Sequence, residues 1–259
     1  MIESARLLRD KFRFKGYIHL KVLPTMSRHL IFEMAEVANR LSLNLEAPNS
    51  ERFSYLGSTK NFSSDLKKRL LWIDEAKRKG LLHSYTTQFV LGAAGETDLE
   101  MLKTIGKLYE ETKLHRTYFS AFQPIEGTAL EKQPAESELR EYQFYQTDWL
   151  LRVYGFKQQE IESALHENEM FGNARDIKLQ IACNNPEKFP VDVNYASQQE
   201  LLHVPGIGPK GVEKICSFRE NKKIIAKDFR QLGIIEKRAL PFLTIEGQRQ
   251  SKLADFRSC

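Results

Sequence analysis

The chain has 259 residues, which is enough for one large domain or two of modest size. Its net charge of +5 permits a nucleic-acid partner but does not require one. No apolar run approaches the length of a membrane span, and the charged N-terminus lacks the apolar core of a signal peptide. The three cysteines are scattered, which argues against a paired-cysteine metal site and fits a reducing compartment. We therefore expect a cytoplasmic protein without a membrane segment.

The first half of the chain alternates between strand and helix patterns. Helices are predicted over residues 4–14, 27–40, 64–79 and 97–112, and strands over 17–23, 41–45, 86–91 and 116–122. Strands that alternate with helices of this length are typical of parallel βα units. Further helices are predicted over 136–154, 158–165 and 174–183, the first with a core stripe of Tyr142, Tyr145, Trp149 and Val153.

Each predicted strand has one apolar and one polar face. In the second strand, Leu41, Leu43 and Leu45 alternate with Ser42 and Asn44. Parallel strands that helices cover on both sides are normally apolar throughout. A partial barrel would explain the alternation, because its polar lumen would face a ligand and its apolar side would face the helices. The alternative is a sheet whose polar face is in contact with solvent.

The predicted ends of three strands, at residues 44–48, 92–97 and 120–124, are distinctive. On barrels, chemistry collects at the carboxyl ends of the strands. Asn44 and Glu46 lie at the end of the second strand and could form hydrogen bonds with a ribose or an amino acid group. Gly92 and Gly95 follow the third strand, where paired glycines let the backbone approach a ligand closely.

A glycine turn near the end of the chain is the most specific motif. Gly206 and Gly208 allow a tight turn, and Ile207 between them can enter the core. Pro209 suits the first position of a new helix, whose free N–H groups would then form an anion site. A lysine at position 210 and another at 214 would share one face of that helix.

This pattern resembles the helix-hairpin-helix motif, which binds double-stranded DNA without sequence specificity. The resemblance implies DNA contacts from Gly206, Ile207, Gly208, Lys210, Gly211 and Lys214. A weaker copy over residues 232–237 has a single glycine, and we expect it to be structural. The alternative is an ordinary corner between two helices that happens to contain glycine.

Segments across nearly the whole chain resemble a bacterial radical S-adenosylmethionine family of DNA modification or repair proteins that end in a helix-hairpin-helix. The segments are residues 14–21, 44–48, 92–98, 118–122, 145–151 and 205–208. The resemblance implies an α/β fold: the last four strands of a partial (β/α)6 barrel over 1–132, followed by an all-helical tail. That tail would comprise a helical connector over 133–186, a helix-hairpin-helix DNA-binding domain over 187–246 and a flexible end over 247–259.

The same resemblance implies a cofactor site for S-adenosylmethionine. Asn44 and Glu46 would lie beside its ribose and methionine part, and Ala121 and Phe122 beside its adenine. The family's glycine-rich turn would correspond to Gly92, Gly95 and Glu96.

One departure from the family concerns its 4Fe–4S cluster, which is held by a C-x3-C-x2-C motif early in the barrel. Cys183, Cys216 and Cys259 have neither that spacing nor that position, so we expect no cluster in this chain. The chain then corresponds to the C-terminal portion of such a protein: a truncated gene product, half of a split gene or an engineered piece. We expect it to be inactive alone.

Two functions follow from these patterns. The chain is either part of a radical S-adenosylmethionine enzyme acting on DNA, or a DNA-binding or interaction module without iron–sulfur chemistry. The first predicted strand would be an unpaired edge, and such edges invite pairing. We therefore expect either an N-terminal half that carries the cluster or self-association.

Overall fold

The computed structural model describes residues 1–57 and 61–249. The chain divides into two compact units, Met1–Asp148 and Trp149–Cys259, each with its own small sheet. None of the described helices combines the length and apolar character needed to cross a membrane.

The first unit is built on a four-stranded parallel sheet, in the order β1-β2-β3-β4. Its strands are β1 His19–Lys21, β2 Arg40–Ser42, β3 Ser84–Leu91 and β4 Arg116–Ala121. Its helices are α1 Ile2–Asp10, α2 Arg28–Val37, α3 Ser50–Ser54, α4 Lys68–Arg78, α5 Asp98–Glu111 and α6 Glu138–Arg152, with a π-helical turn at Phe62–Lys67 before α4.

Helix ends in this unit follow local capping signals. The Ser27 hydroxyl accepts a hydrogen bond from the Leu30 amide at 3.3 Å and begins α2. Thr97 and Glu100 form a reciprocal capping box at the start of α5. Both helices therefore begin within one residue of the predicted position.

The sheet has the two faces that the sequence predicts. Leu41, Leu43 and Phe89 are fully buried on the apolar face, whereas Ser42 and Gln88 on the polar face are partly exposed. The predicted parallel βα arrangement is confirmed at this level.

The boundary predicted at residue 132 lies inside the first unit. After β4 the chain returns to the sheet, and the Glu136 amide donates to the Phe122 carbonyl at 2.8 Å. The segment predicted as a helical connector, residues 133–186, is therefore split between the two units. Most of α6 belongs to the first unit. Tyr142 and Trp149 on α6, predicted to be core residues, are about half exposed, and Phe144 is buried instead.

The second unit contains short helices around a small sheet. The helices are α7 Gln158–Glu162, α8 Ile177–Asn184, α9 Gln198–His203, α10 Pro209–Arg219, α11 Phe229–Leu232 and α12 Glu236–Ala239. The strands are β5 Val191–Asp192, β6 Leu243–Ile245 and β7 Gln248–Arg249, with β5 parallel and β7 antiparallel to β6.

The prediction of an all-helical tail is therefore wrong. Strands of two or three residues are too short to show an alternating pattern, so tertiary pairing defines them. The Val193 amide donates to the Thr244 carbonyl at 3.0 Å, and Gly247 forms the turn between β6 and β7 with a φ of +78°. The flexible end predicted from residue 247 thus begins inside a hairpin, and residues 250–259 lie outside the described part of the chain.

Candidate functional site

The carboxyl ends of three neighbouring strands meet at one edge of the four-stranded sheet. Glu46, just beyond β2, pairs with Phe89 of β3, and Leu91 of β3 pairs with Ala121 of β4. Parallel pairing therefore brings the predicted cofactor residues to this edge: Asn44, Glu46, Gly92, Gly95, Glu96, Ala121 and Phe122.

The first of these ends opens into a cavity of about 300 Å³, which we call the Asn44–Glu46 cavity. Its lining includes apolar Leu43, Phe53 and Leu66 together with the polar side chains of Asn44 and Glu46. A mostly apolar wall with a few polar groups is typical of small-molecule sites.

Glu46 is held in an unusual backbone conformation. Its φ of +67° lies in the left-handed region, which residues with a side chain seldom adopt. Such strain costs on the order of 1–3 kcal/mol and is often found at ligand sites. Within residues 1–57 and 61–249, no hydrogen bond or ion pair occupies the Glu46 carboxylate. The strained residue therefore offers a free acceptor to the cavity.

The glycine turn after β3 is closed by its own side chain. The Gly92 amide donates to Glu96 Oε1 at 2.6 Å, and the Ala94 amide donates to Glu96 Oε2 at 3.3 Å. Gly92 has a φ of +84°, and a Cβ there would lie 2.6 Å from the Glu136 carboxylate. A cofactor could take hydrogen bonds from this turn only by displacing the Glu96 carboxylate.

Arg140 of α6 holds this closed turn and was missed by sequence reasoning. Its guanidinium is buried and forms ion pairs with Glu96 at 3.2 Å, Asp98 at 2.7 Å and Glu136 at 2.7 Å. Glu136 lies only four residues before Arg140, but Glu96 lies 44 residues away, so no local pattern marks the pairing of Arg140 with the glycine turn.

The end of β4 is also bonded within the protein. The Ala121 amide donates to Glu141 Oε2 at 2.8 Å, and the Phe122 amide donates to the Leu91 carbonyl at 2.9 Å. Phe122 lines a separate cavity of about 190 Å³, which shares Leu56 with the Asn44–Glu46 cavity. The structure therefore brings Asn44 and Glu46 into one cavity and places Phe122 in the next.

The two cysteines of the described residues, Cys183 and Cys216, do not make up the ligand set of a 4Fe–4S cluster. Such a cluster needs clustered thiolates, but Cys183 and Cys216 belong to the second unit and Cys259 lies outside the described residues. Within the described residues, no three His, Cys, Asp or Glu side chains are arranged to hold a metal ion. The lining of the Asn44–Glu46 cavity, taken over the described residues, includes polar side chains and apolar walls but no thiolate.

The glycine turn of the second unit joins α9 to α10. Gly206 has a φ of +81°, and a Cβ there would lie 2.8 Å from the Ile235 carbonyl oxygen. Ile207 is 1% exposed and anchors the turn in the core. Gly208 is the N-cap of α10 and Pro209 its first residue, as predicted.

This second turn, which we call the open turn, has no side chain bonded to its amides, although Gly211 itself is buried. Gly208 has no side chain that could cap α10, and the Lys210 and Gly211 amides precede that of Val212, which is the first to bond an acceptor at the helix start, the Gly208 carbonyl. Lys210 and Lys214 are exposed, and neither forms an ion pair within the described chain. The positive end of the α10 dipole and two unpaired cations therefore coincide.

The weaker copy of the motif packs against this turn. Gly233 follows α11 with a φ of +76°, and Ile234 after it is 5% exposed, which repeats the arrangement of Gly206 and Ile207. The Ile235 amide donates to the Gly206 carbonyl at 3.0 Å. The two turns thus support each other directly.

A buried lysine lies beneath the open turn, and no local sequence pattern predicts it. Lys178 on α8 is 7% exposed, and its Nζ donates to the Ile207 carbonyl at 2.6 Å. The ammonium also lies 4.5 Å from the centre of the Tyr154 ring. Burial lowers the pKa of Lys178 to about 7, against an opposing effect of Asp176.

Comparison of this chain with protein-family models, with curated proteins and with solved structures gives no match.

Proposed function

We propose that the chain binds double-stranded DNA through the α9–α10 turn, acting as a helix-hairpin-helix. One observation carries the proposal: the uncapped amides of α10 lie beside exposed Lys210 and Lys214. A helix N-terminus with free amides is a natural phosphate site, and the lysines add charge along the same face.

The proposed contacts are to phosphates. The Lys210 and Gly211 amides would donate to one phosphate group, and the ammonium groups of Lys210 and Lys214 would neutralise its neighbours. Phosphate contacts position a protein on DNA but carry no sequence information. We therefore infer binding to duplex DNA of any sequence, with a strong dependence on salt. Gly206, Ile207 and Gly208 would shape the backbone rather than touch the bases.

We propose that the first unit is the C-terminal part of a barrel of the radical S-adenosylmethionine type. The cofactor would lie against the carboxyl ends of β2, β3 and β4. The strained Glu46 with its free carboxylate supports this second proposal. Among the predicted cofactor residues, Asn44 and Glu46 are the best placed, while Gly92, Gly95, Glu96, Ala121 and Phe122 would complete the edge.

Chemistry would then need a second polypeptide. Cys183, Cys216 and Cys259 lack the spacing of a cluster motif, and β1 is an outer strand of its sheet. We propose that an N-terminal half carrying the cluster, or a second copy of the chain, pairs there in a cytoplasmic setting. Without such a partner, the chain would be a DNA-binding module with no catalytic activity.

The DNA proposal is tested by fluorescence anisotropy with two duplexes of unrelated sequence over a range of salt. The double variant K210M/K214M should bind more weakly and lower the slope of log K against log salt by about 2. Lys103 and Lys107 are exposed and also lie four residues apart, on α5, so K103M/K107M is a matched control. Equal losses in both variants, with intact circular dichroism, would contradict a specific DNA surface.

The cofactor proposal is tested by calorimetric titration with S-adenosylmethionine. E46Q should weaken the binding, because it removes the free carboxylate of the cavity. E51Q on α3 changes an exposed carboxylate and should leave the affinity unchanged. Equal affinities in E46Q and the parent chain would remove Glu46 from the proposed site.

A further inference from the structure

The polar face of the four-stranded sheet carries a second cavity, of about 330 Å³. We call it the cationic cavity, because its lining includes Lys21, Arg40 and His19 but no aspartate or glutamate. Its remaining walls are neutral hydrogen-bonding groups, among them Ser42, Gln88 and Tyr118.

The two permanent cations of this cavity lack counter-ions. In the described part of the chain, neither Lys21 nor Arg40 forms an ion pair. The Arg40 guanidinium donates to the Ser84 hydroxyl at 2.9 Å, a neutral partner that leaves its charge uncompensated. Other arginines on the sheet differ: Arg116 lies 3.9 Å from the Asp148 carboxylate.

The strand register places these groups side by side. His19 of β1 pairs with Arg40 of β2, and Lys21 pairs with Ser42. Lys21 and Arg40 are thus diagonal neighbours on adjacent strands, which places two positive charges at the same surface of the sheet. The His19 ring nitrogen also lies 2.9 Å from the Ser42 hydroxyl, which brings both groups to the same surface.

Burial and the positive charge of the cavity lower the pKa of its histidine, His19. Partial burial lowers the pKa of His19, and the charges of Arg40 and Lys21 lower it further. The Tyr17 ring packs against the histidine at 6.5 Å between ring centres and carries no opposing charge. An anion bound here would oppose both cationic effects and raise the pKa of His19.

We propose that the cationic cavity binds the phosphate group of a small organic phosphate monoester. The planar Arg40 guanidinium would donate two hydrogen bonds to the phosphate oxygens, and Lys21 would neutralise the remaining charge. Ser42 and Gln88 would form hydrogen bonds with the organic part. The volume is at the lower end of the range for small-molecule sites, which fits a mononucleotide-sized ligand.

This site is distinct from the proposed DNA surface and from the Asn44–Glu46 cavity. It faces the polar side of the sheet in the first unit, whereas the DNA surface belongs to the second unit. It adjoins the Asn44–Glu46 cavity, with which it shares Lys21 and Asn44 as lining residues. A monoester held here would therefore lie beside a ligand of that cavity.

The test uses the full chain and three probes: deoxyadenosine monophosphate, deoxyadenosine and inorganic phosphate. Nuclear magnetic resonance follows the His19 ring proton as a function of pH, and calorimetry gives the affinity. The monophosphate should raise the pKa of His19, deoxyadenosine should not, and inorganic phosphate should bind more weakly. Equal binding of inorganic phosphate and the monoester would overturn the inference, since only a simple anion site would remain.

Variants distinguish binding in the cationic cavity from a general attraction of the anion to positive charge. R40M and K21M should each weaken monophosphate binding about tenfold to a hundredfold, as loss of a charge-assisted hydrogen bond does. R40M also loses the bond to Ser84, whereas K21M removes a charge without removing a hydrogen bond or ion pair among the described residues. K103M on α5 should bind like the parent chain. If K103M weakens binding as much as K21M does, the inference is wrong.

Discussion

The two glycine turns of this protein differ in what occupies their amides. In the turn after β3, the Glu96 carboxylate accepts from the Gly92 and Ala94 amides at 2.6 and 3.3 Å. In the turn before α10, Gly208 has no side chain, and no cap bonds the helix amides. Both turns need left-handed glycines, at Gly92 and Gly206.

This comparison shows why a glycine-rich segment is not in itself a ligand site. Glycine allows the backbone to expose its amides, but an acidic residue four positions later can satisfy them within the chain. The turn before α10 has lysines instead of an acid in the equivalent region. An outside anion would displace no side chain at the turn before α10, whereas it would have to compete with the Glu96 carboxylate at the turn after β3.

The largest expected effect concerns the closed turn. R140M removes the cation that pairs with the buried carboxylates of Glu96 and Asp98. Breaking a buried ion pair by removing one partner costs about 3–5 kcal/mol. Urea unfolding followed by circular dichroism measures this loss. R28M breaks the exposed pair with Glu75 and should change stability little, so equal losses would show that Arg140 does not hold the turn.

The close packing of the open turn at Gly206 can be tested by comparison with Gly233, a glycine of the same backbone conformation. Gly206 and Gly233 have φ values of +81° and +76°, so alanine at either costs about 1–2 kcal/mol of backbone strain. Only at Gly206 would the added Cβ also lie 2.8 Å from the Ile235 carbonyl oxygen, whereas the space at Gly233 is open. G206A should therefore unfold at lower urea than G233A, and the reverse order would contradict the described packing.

The lysine beneath the open turn should make stability depend on pH. Burial lowers the pKa of Lys178 to about 7, well below that of the unfolded chain. Between about pH 7 and 10, the unfolded chain binds the extra proton, so the free energy of unfolding rises with pH there. The gain is at most about 1.4 kcal/mol per pH unit.

K178M lacks this titration and is the reference in the same urea experiment. The stability difference between the parent chain and K178M should shift in favour of the parent as the pH rises. A difference that is constant across this pH range would show that Lys178 titrates as an ordinary lysine.

The smallest expected effect is at Glu46, where the backbone is strained but the carboxylate is open. E46G relieves the left-handed strain and should stabilise the first unit by about 1 kcal/mol or less. E46Q keeps the strain and should leave the stability unchanged. Equal stabilities for E46G and E46Q in thermal unfolding would show that the conformation costs nothing.

The sequence predicts those parts of the fold that depend on near neighbours. The alternation of Leu41 and Leu43 with Ser42 identifies the buried sheet face, and Ser27 and Thr97 identify helix starts. The turn at Gly206 and Gly208 could be predicted because adjacent residues determine its backbone conformation.

The parts that sequence reasoning missed depend on distant partners. Arg140 bonds Glu96 across 44 residues, and Lys178 bonds Ile207 across 29. The prediction that the aromatic residues of α6 form a core stripe is wrong for the same reason. Helical spacing does not show which side of a helix will pack against a neighbour. Trp149 is 48% exposed while Phe144 is fully buried.

The central claim is that an open glycine turn binds DNA phosphate, and G208D tests it most directly. Aspartate is a favoured N-cap, so its carboxylate should accept from the α10 amides and stabilise the helix by up to about 1 kcal/mol. G208A is the matched control, because a Cβ at this position meets the Tyr154 hydroxyl at 3.2 Å in both variants.

In anisotropy titrations with duplex DNA, G208D should lose binding while remaining at least as stable as G208A, which should keep most of its affinity. The engineered carboxylate would then have converted the open turn into a closed one. DNA affinity that is equal in G208D and G208A would contradict the account.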